Sequence, residues 1–115
     1  MKLPTTIKLG HFDIQIKALP NDIASSDEQE GSFHSGTRTI YVDENIIEKG
    51  GVDYICVLLH ELLHCSYFKN NLSKASTEED LVNSFSNDLT ELLSRTQLLD
   101  FINKQLRGKN YDNKS

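Results

Sequence analysis

A chain of 115 residues holds one small domain, long enough to bury a modest core and too short for separate substrate and regulatory domains. Seventeen acidic against twelve basic side chains give a formal charge of -5, and the basic residues are scattered, which excludes the clustered Lys and Arg that hold nucleic acid or anionic membranes. The longest apolar stretch, Ile55 to Leu59, is far too short to span a bilayer, and no leader-like segment opens the chain, so a cytoplasmic location is expected.

Phe12 to Lys17 alternates apolar and polar side chains, the period of a half-buried strand. Asn21 to Gly31 is rich in Asp, Glu and Ser and reads as a loop. Ser35-Gly36 marks a turn, and Thr37 to Val42 is β-branched and aromatic enough for a second strand, with Ile40 and Val42 inward. These strands predict a short antiparallel sheet ahead of the helices. Gly50-Gly51 breaks the chain, and Asp53 suits the start of a helix running to about Phe68, apolar on most sides and therefore central. Cys56 and Cys65 lie nine apart in it, on opposite sides, and read as reduced core thiols that cannot pair with each other. After a polar connection over 70–77, Thr77 caps a long helix that opens with Glu78, Glu79 and Asp80. Its stripe of Val82, Phe85, Leu89, Leu92, Leu99, Ile102 and Leu106 reads as core, with a break near Ser94 to Gln97. Residues 1–107 form the domain and 108–115 a polar tail.

Within the first helix stands the most specific feature of the chain, His60-Glu61-Leu62-Leu63-His64, which spells H-E-x-x-H. With four histidines and eight glutamates, composition alone would produce it in about one chain in a hundred. Residues four apart on a helix project from one face, so His60 and His64 are placed to pinch one metal ion. Neutral imidazoles suit Zn²⁺, and Glu61 between them becomes the candidate general base for an attacking water.

A catalytic zinc takes three protein ligands, so one more donor is expected. A motif extended to H-E-x-x-H-x-x-G-x-x-H would need glycine and histidine where Tyr67 and Asn70 stand, and no histidine follows His64. Upstream, Glu30-Gly31-Ser32-Phe33-His34 carries serine where a loop cysteine would have to stand. What remains is a carboxylate from the next helix. Glu79 is favoured because Asn83 lies one turn later on its face and could orient a ligating imidazole from behind; Glu78 lines up better with Val82, Phe85 and Leu89, and Asp80 comes last. His34, Tyr41 and Tyr54 are candidate oxyanion donors, each more often an ordinary strand or packing residue, and His11 reads as solvent-facing.

His60 to His64 followed by Glu79-Asp80-Leu81-Val82-Asn83-Ser84-Phe85-Ser86 resembles the H-E-x-x-H and E-x-x-x-N-x-F-A elements of ImmA/IrrE-like metallopeptidases and compact phage or mobile-element relatives, over roughly Thr37 to Leu93. Ser86 stands where alanine is common, and the Leu-Leu-Met-Pro segment that often ends that helix is absent. The resemblance implies a minimal zincin-like α+β domain, a short sheet packed on a motif helix and a long ligand helix. It also implies a gluzincin-type zinc peptidase acting on a protein or peptide, in some relatives a repressor. Substrate is expected to pair with Thr37 to Val42 as an edge strand. The competing expectation is a catalytically silent zinc scaffold that binds a protein partner.

Overall fold

The computed structural model describes residues 6–20 and 30–114, with side chains to Arg107. Four strands and four helices lie within these residues: β1 (Thr6–Leu9), β2 (Phe12–Leu19), β3 (Gly31–His34), β4 (Thr39–Asp43), α1 (Glu44–Lys49), α2 (Gly51–Lys69), α3 (Glu78–Arg95) and α4 (Leu98–Lys114).

β1 and β2 form a hairpin turned by Gly10 and His11, where Gly10 takes a φ of +60° that a side chain would resist. His11, solvent-facing as expected, belongs to this turn. The sheet order is β1-β2-β4-β3. β1–β2 and β3–β4 are antiparallel, but β2–β4 is parallel, so the sheet is mixed where an antiparallel one was expected. The reason is topological. The chain leaves β2, reaches the far edge as β3, and the turn over 35–38 sends β4 back between them in the direction of β2.

One face of the sheet supplies Ile7, Leu9, Ile14, Ile16, Ile40 and Val42, all buried, as period-two alternation requires. Against it α2 lays Tyr54, Leu58, Leu62 and Cys65, and Leu92, Leu98 and Phe101 from α3 and α4 close the core. Both Gly50 and Gly51 have φ near +67°, which lets the chain turn from α1 into α2. Cys65 is buried and its thiol is pushed up to about 12 by that burial, whereas Cys56 is exposed, correcting its placement in the core.

Thr77 caps α3 through the Asp80 amide, with Asp80 accepting from the Thr77 amide in return. α3 and α4 are separate helices divided by the extended Thr96, at the expected break. The backbone of 108–114 continues α4. The expected core stripe is only partly buried: Val82 is 53% exposed and Leu89, Leu99 and Leu106 also reach solvent, while Leu92 is buried and α4 sends Leu98 and Phe101 into the core instead. No helix among the described residues is long and apolar enough to cross a membrane.

Candidate metal centre

α2 is helical through the motif, so His60 and His64 share one face, and both are exposed. Their Nε2 atoms lie 3.2 Å apart, one imidazole donating to the other. Two nitrogens each about 2.05 Å from a tetrahedral zinc ion stand roughly 3.3 Å apart. The pair is therefore already at ligand spacing, and its donor type fits zinc.

Glu61 lies on the flank of the helix next to the pair, under β3, and is only 6% exposed. Burial pushes its carboxyl above the usual range, and the His60 and His64 rings beside it pull part of that shift back. The approach of β3 depends on Gly31. A Cβ there would lie 2.7 Å from Val57 Cγ1, 3.2 Å from the Tyr41 carbonyl oxygen and 3.3 Å from Glu61 Cγ. Gly31 thus lets the strand backbone lie directly on the stem of the candidate base. The loop expected over Asn21 to Gly31 lies outside the described residues up to 29; at its end the Gly, Ser and His content hides a strand, which only the pairing of Gly31 to His34 with Val42 to Thr39 reveals.

α3 crosses the other flank of α2. Asp88, buried, accepts from Ser66 Oγ at 2.6 Å, Asn70 Nδ2 at 2.9 Å and Lys69 Nζ at 3.1 Å, a satisfied polar cluster that pins the two helices. Leu59, Leu62, Leu89 and Leu92 line a small cavity beside it. Nearer the imidazoles, Leu63, Tyr67 and Phe85 join His60 and His64 around an open cleft of about 310 Å³.

Glu79 and Asn83, with Glu78 and Asp80, are exposed near the start of α3. Glu79 lies six residues before Phe85, the α3 residue that borders the imidazoles, about 9 Å along the helix axis. The structure brings His60 and His64 together and leaves Glu79 apart from them. Among the described residues no three His, Cys, Asp or Glu side chains gather as a metal-holding group. Of the oxyanion candidates, His34 stacks edge-on against Tyr41 at 5.2 Å and its Nε2 lies 3.2 Å from Ser32 Oγ. Tyr54 is in the core against Phe101, its buried hydroxyl without a partner among the described residues.

β4 is paired on both sides, with β2 and with β3. Thr37 to Val42 is therefore not an edge; among the described residues the edges are β1 and β3, and β3 is the one that lies over Glu61. Compared with protein families, curated proteins and solved structures, the chain matches none.

Proposed function

We propose that this chain is a zinc-dependent peptidase in which His60 and His64 hold the metal and Glu61 is the general base. The observation that supports it is the convergence of the two Nε2 atoms at 3.2 Å beside a buried carboxyl. Zinc bound there would supply Lewis acidity toward a peptide carbonyl and make a water more acidic. Glu61 takes the proton of the attacking water and returns it to the leaving amine. The outer edge of β3 offers main-chain pairing to an extended peptide, and Gly31 keeps that edge close to Glu61. The gluzincin form of this reading adds Glu79 as third ligand with Asn83 behind an imidazole, and it requires the first turn of α3 to move toward the pair. A repressor-like protein is the substrate type the resemblance suggests.

The second reading is a zinc scaffold that binds a protein partner, favoured by the apolar side chains that Leu63 and Val82 leave in solvent. One set of variants separates the two. Wild type should hold about one equivalent of zinc by elemental analysis, and His60→Ala and His64→Ala should lose it. Glu61→Gln should keep zinc and fold while cleavage of a peptide mixture, read by mass spectrometry, is abolished. Cleavage retained by Glu61→Gln, or no cleavage by zinc-loaded wild type, rejects the peptidase.

A further inference from the structure

The cleft bordered by the two imidazoles has a second wall that takes no part in holding a metal. Leu63 and Tyr67 form a row on α2 immediately beside the row of His60 and His64, and Phe85 closes the cleft from α3. We infer that this cleft receives a large apolar side chain of a peptide, and that the peptides it selects carry a basic residue about three positions from that anchor. The position of the cleaved bond relative to the anchor rests on the peptidase reading; the recognition of the anchor does not.

Three observations lead there. The cleft opens directly onto the imidazole pair, and an extended peptide advances about 3.3 Å per residue, so a carbonyl at the pair places a neighbouring side chain against Leu63 and Phe85. Its volume of about 310 Å³ lies at the small end of ligand sites, room for one large side chain and its backbone. Finally, the face of Phe85 continues through Val82 to Glu78, both exposed, at helical steps of three and four. Seven residues of helix cover about 10 Å, the reach of three extended residues. There Glu78 and Glu79 are exposed, while the connection before them carries one cation, Lys74. A peptide anchored in the cleft and running along α3 meets negative charge at that distance. The same charge opposes a second copy of this chain, which would set two acidic helix starts and two surfaces of net charge -5 against each other.

The test uses fluorescein-labelled peptides with Leu, Phe or Ala at the centre and Lys or Glu three residues on. Their binding to the full chain is read by anisotropy with and without zinc, and cleavage is followed in parallel. Leu and Phe peptides should bind about tenfold tighter than Ala peptides, from the apolar area removed from water. Lys should be preferred over Glu severalfold at low salt, and the preference should fade at high salt. Phe85→Ala and Leu63→Ala should each reduce the anchor preference to near unity; Leu63 is 40% exposed, so that variant keeps the fold. Equal binding of Leu and Ala peptides to wild type, or a preference that survives both substitutions, overturns the anchor site. Equal binding of Lys and Glu peptides overturns the acidic flank. Self-association that competes with peptide and vanishes in Phe85→Ala reassigns the cleft to a second copy and also overturns the proposal. Selective binding without cleavage by the zinc-loaded chain leaves the anchor site standing and removes the peptidase; cleavage without selection does the reverse.

Discussion

Leu62 and Leu63 are neighbours in the same helix with opposite fates: the first is 1% exposed against the sheet, the second 40% exposed on the rim of the cleft. The side of α2 that carries Leu58, Leu62 and Cys65 is sealed by the strands, and the side that carries His60, Leu63, His64 and Tyr67 is left open. Two apolar sides on one helix thus do different work. One holds the fold and the other surrounds two imidazoles with apolar surface that the fold does not use. The sharpest way to break this comparison is to truncate each leucine. Leu62→Ala should cost about 2–5 kcal/mol in urea unfolding, the range for a large-to-small change in a packed core. Leu63→Ala should cost less than about 1 kcal/mol. Comparable losses would mean that the cleft wall is part of the core and that its openness is not a feature of the folded state.

Much of that division was legible in the sequence, and what was not has identifiable causes. The motif helix, the Gly50-Gly51 break, the Thr77 cap and the break at Thr96 follow from local chemistry, and each stands within a residue or two of its expected place. Ile40 and Val42 face inward because their strand alternates. The β2–β4 pairing is parallel because of where β3 sits, which no local pattern encodes. Val82, Leu89, Leu99 and Leu106 carry the period of a core stripe, but the packing of α3 and α4 on α2 and the sheet buries Leu92, Leu98 and Phe101, so tertiary context decides their exposure. Residue type alone favours a core place for Cys56, and its position on the outer side of α2 overrides that preference. The partners of Asp88 come from an adjacent helix, so a buried carboxylate amid an otherwise polar helix gave no signal of its own.

The sealed and open sides meet at Gly31, where β3 lies on Glu61. Gly31→Ala places a methyl against Val57, the Tyr41 carbonyl and Glu61, and the backbone contact cannot swing aside. An unfolding cost of about 1–3 kcal/mol is expected, the range for overpacking. Gly36→Ala is the control, since a Cβ there meets nothing within 4 Å, and its midpoint should match wild type. A Gly31→Ala protein as stable as wild type would show that β3 is not held against the helix and that the burial of Glu61 has another origin.

The smallest expected effect concerns the start of α3. A catalytic zinc site needs a third protein ligand and the next helix begins with three carboxylates, which makes its acidic residues the sequence's candidate donors. Helix rise sets the separation: Phe85 is the α3 residue that borders the imidazoles, and Glu79 lies six residues before it, about 9 Å along the helix axis. Zinc competition titrations of Glu79→Ala, Glu78→Ala and Asp80→Ala against His64→Ala measure how far this placement holds when metal binds. With the structure's placement, Glu79→Ala should weaken zinc by less than tenfold, no more than Glu78→Ala does, since an exposed carboxylate at that remove contributes only a screened attraction. Asp80→Ala should instead lower helix stability by about 1 kcal/mol through its half of the cap. A loss of zinc on Glu79→Ala as large as that on His64→Ala would mean that the first turn of α3 closes over the imidazoles in the metal-bound protein, completing a gluzincin donor set and narrowing the cleft beside Phe85.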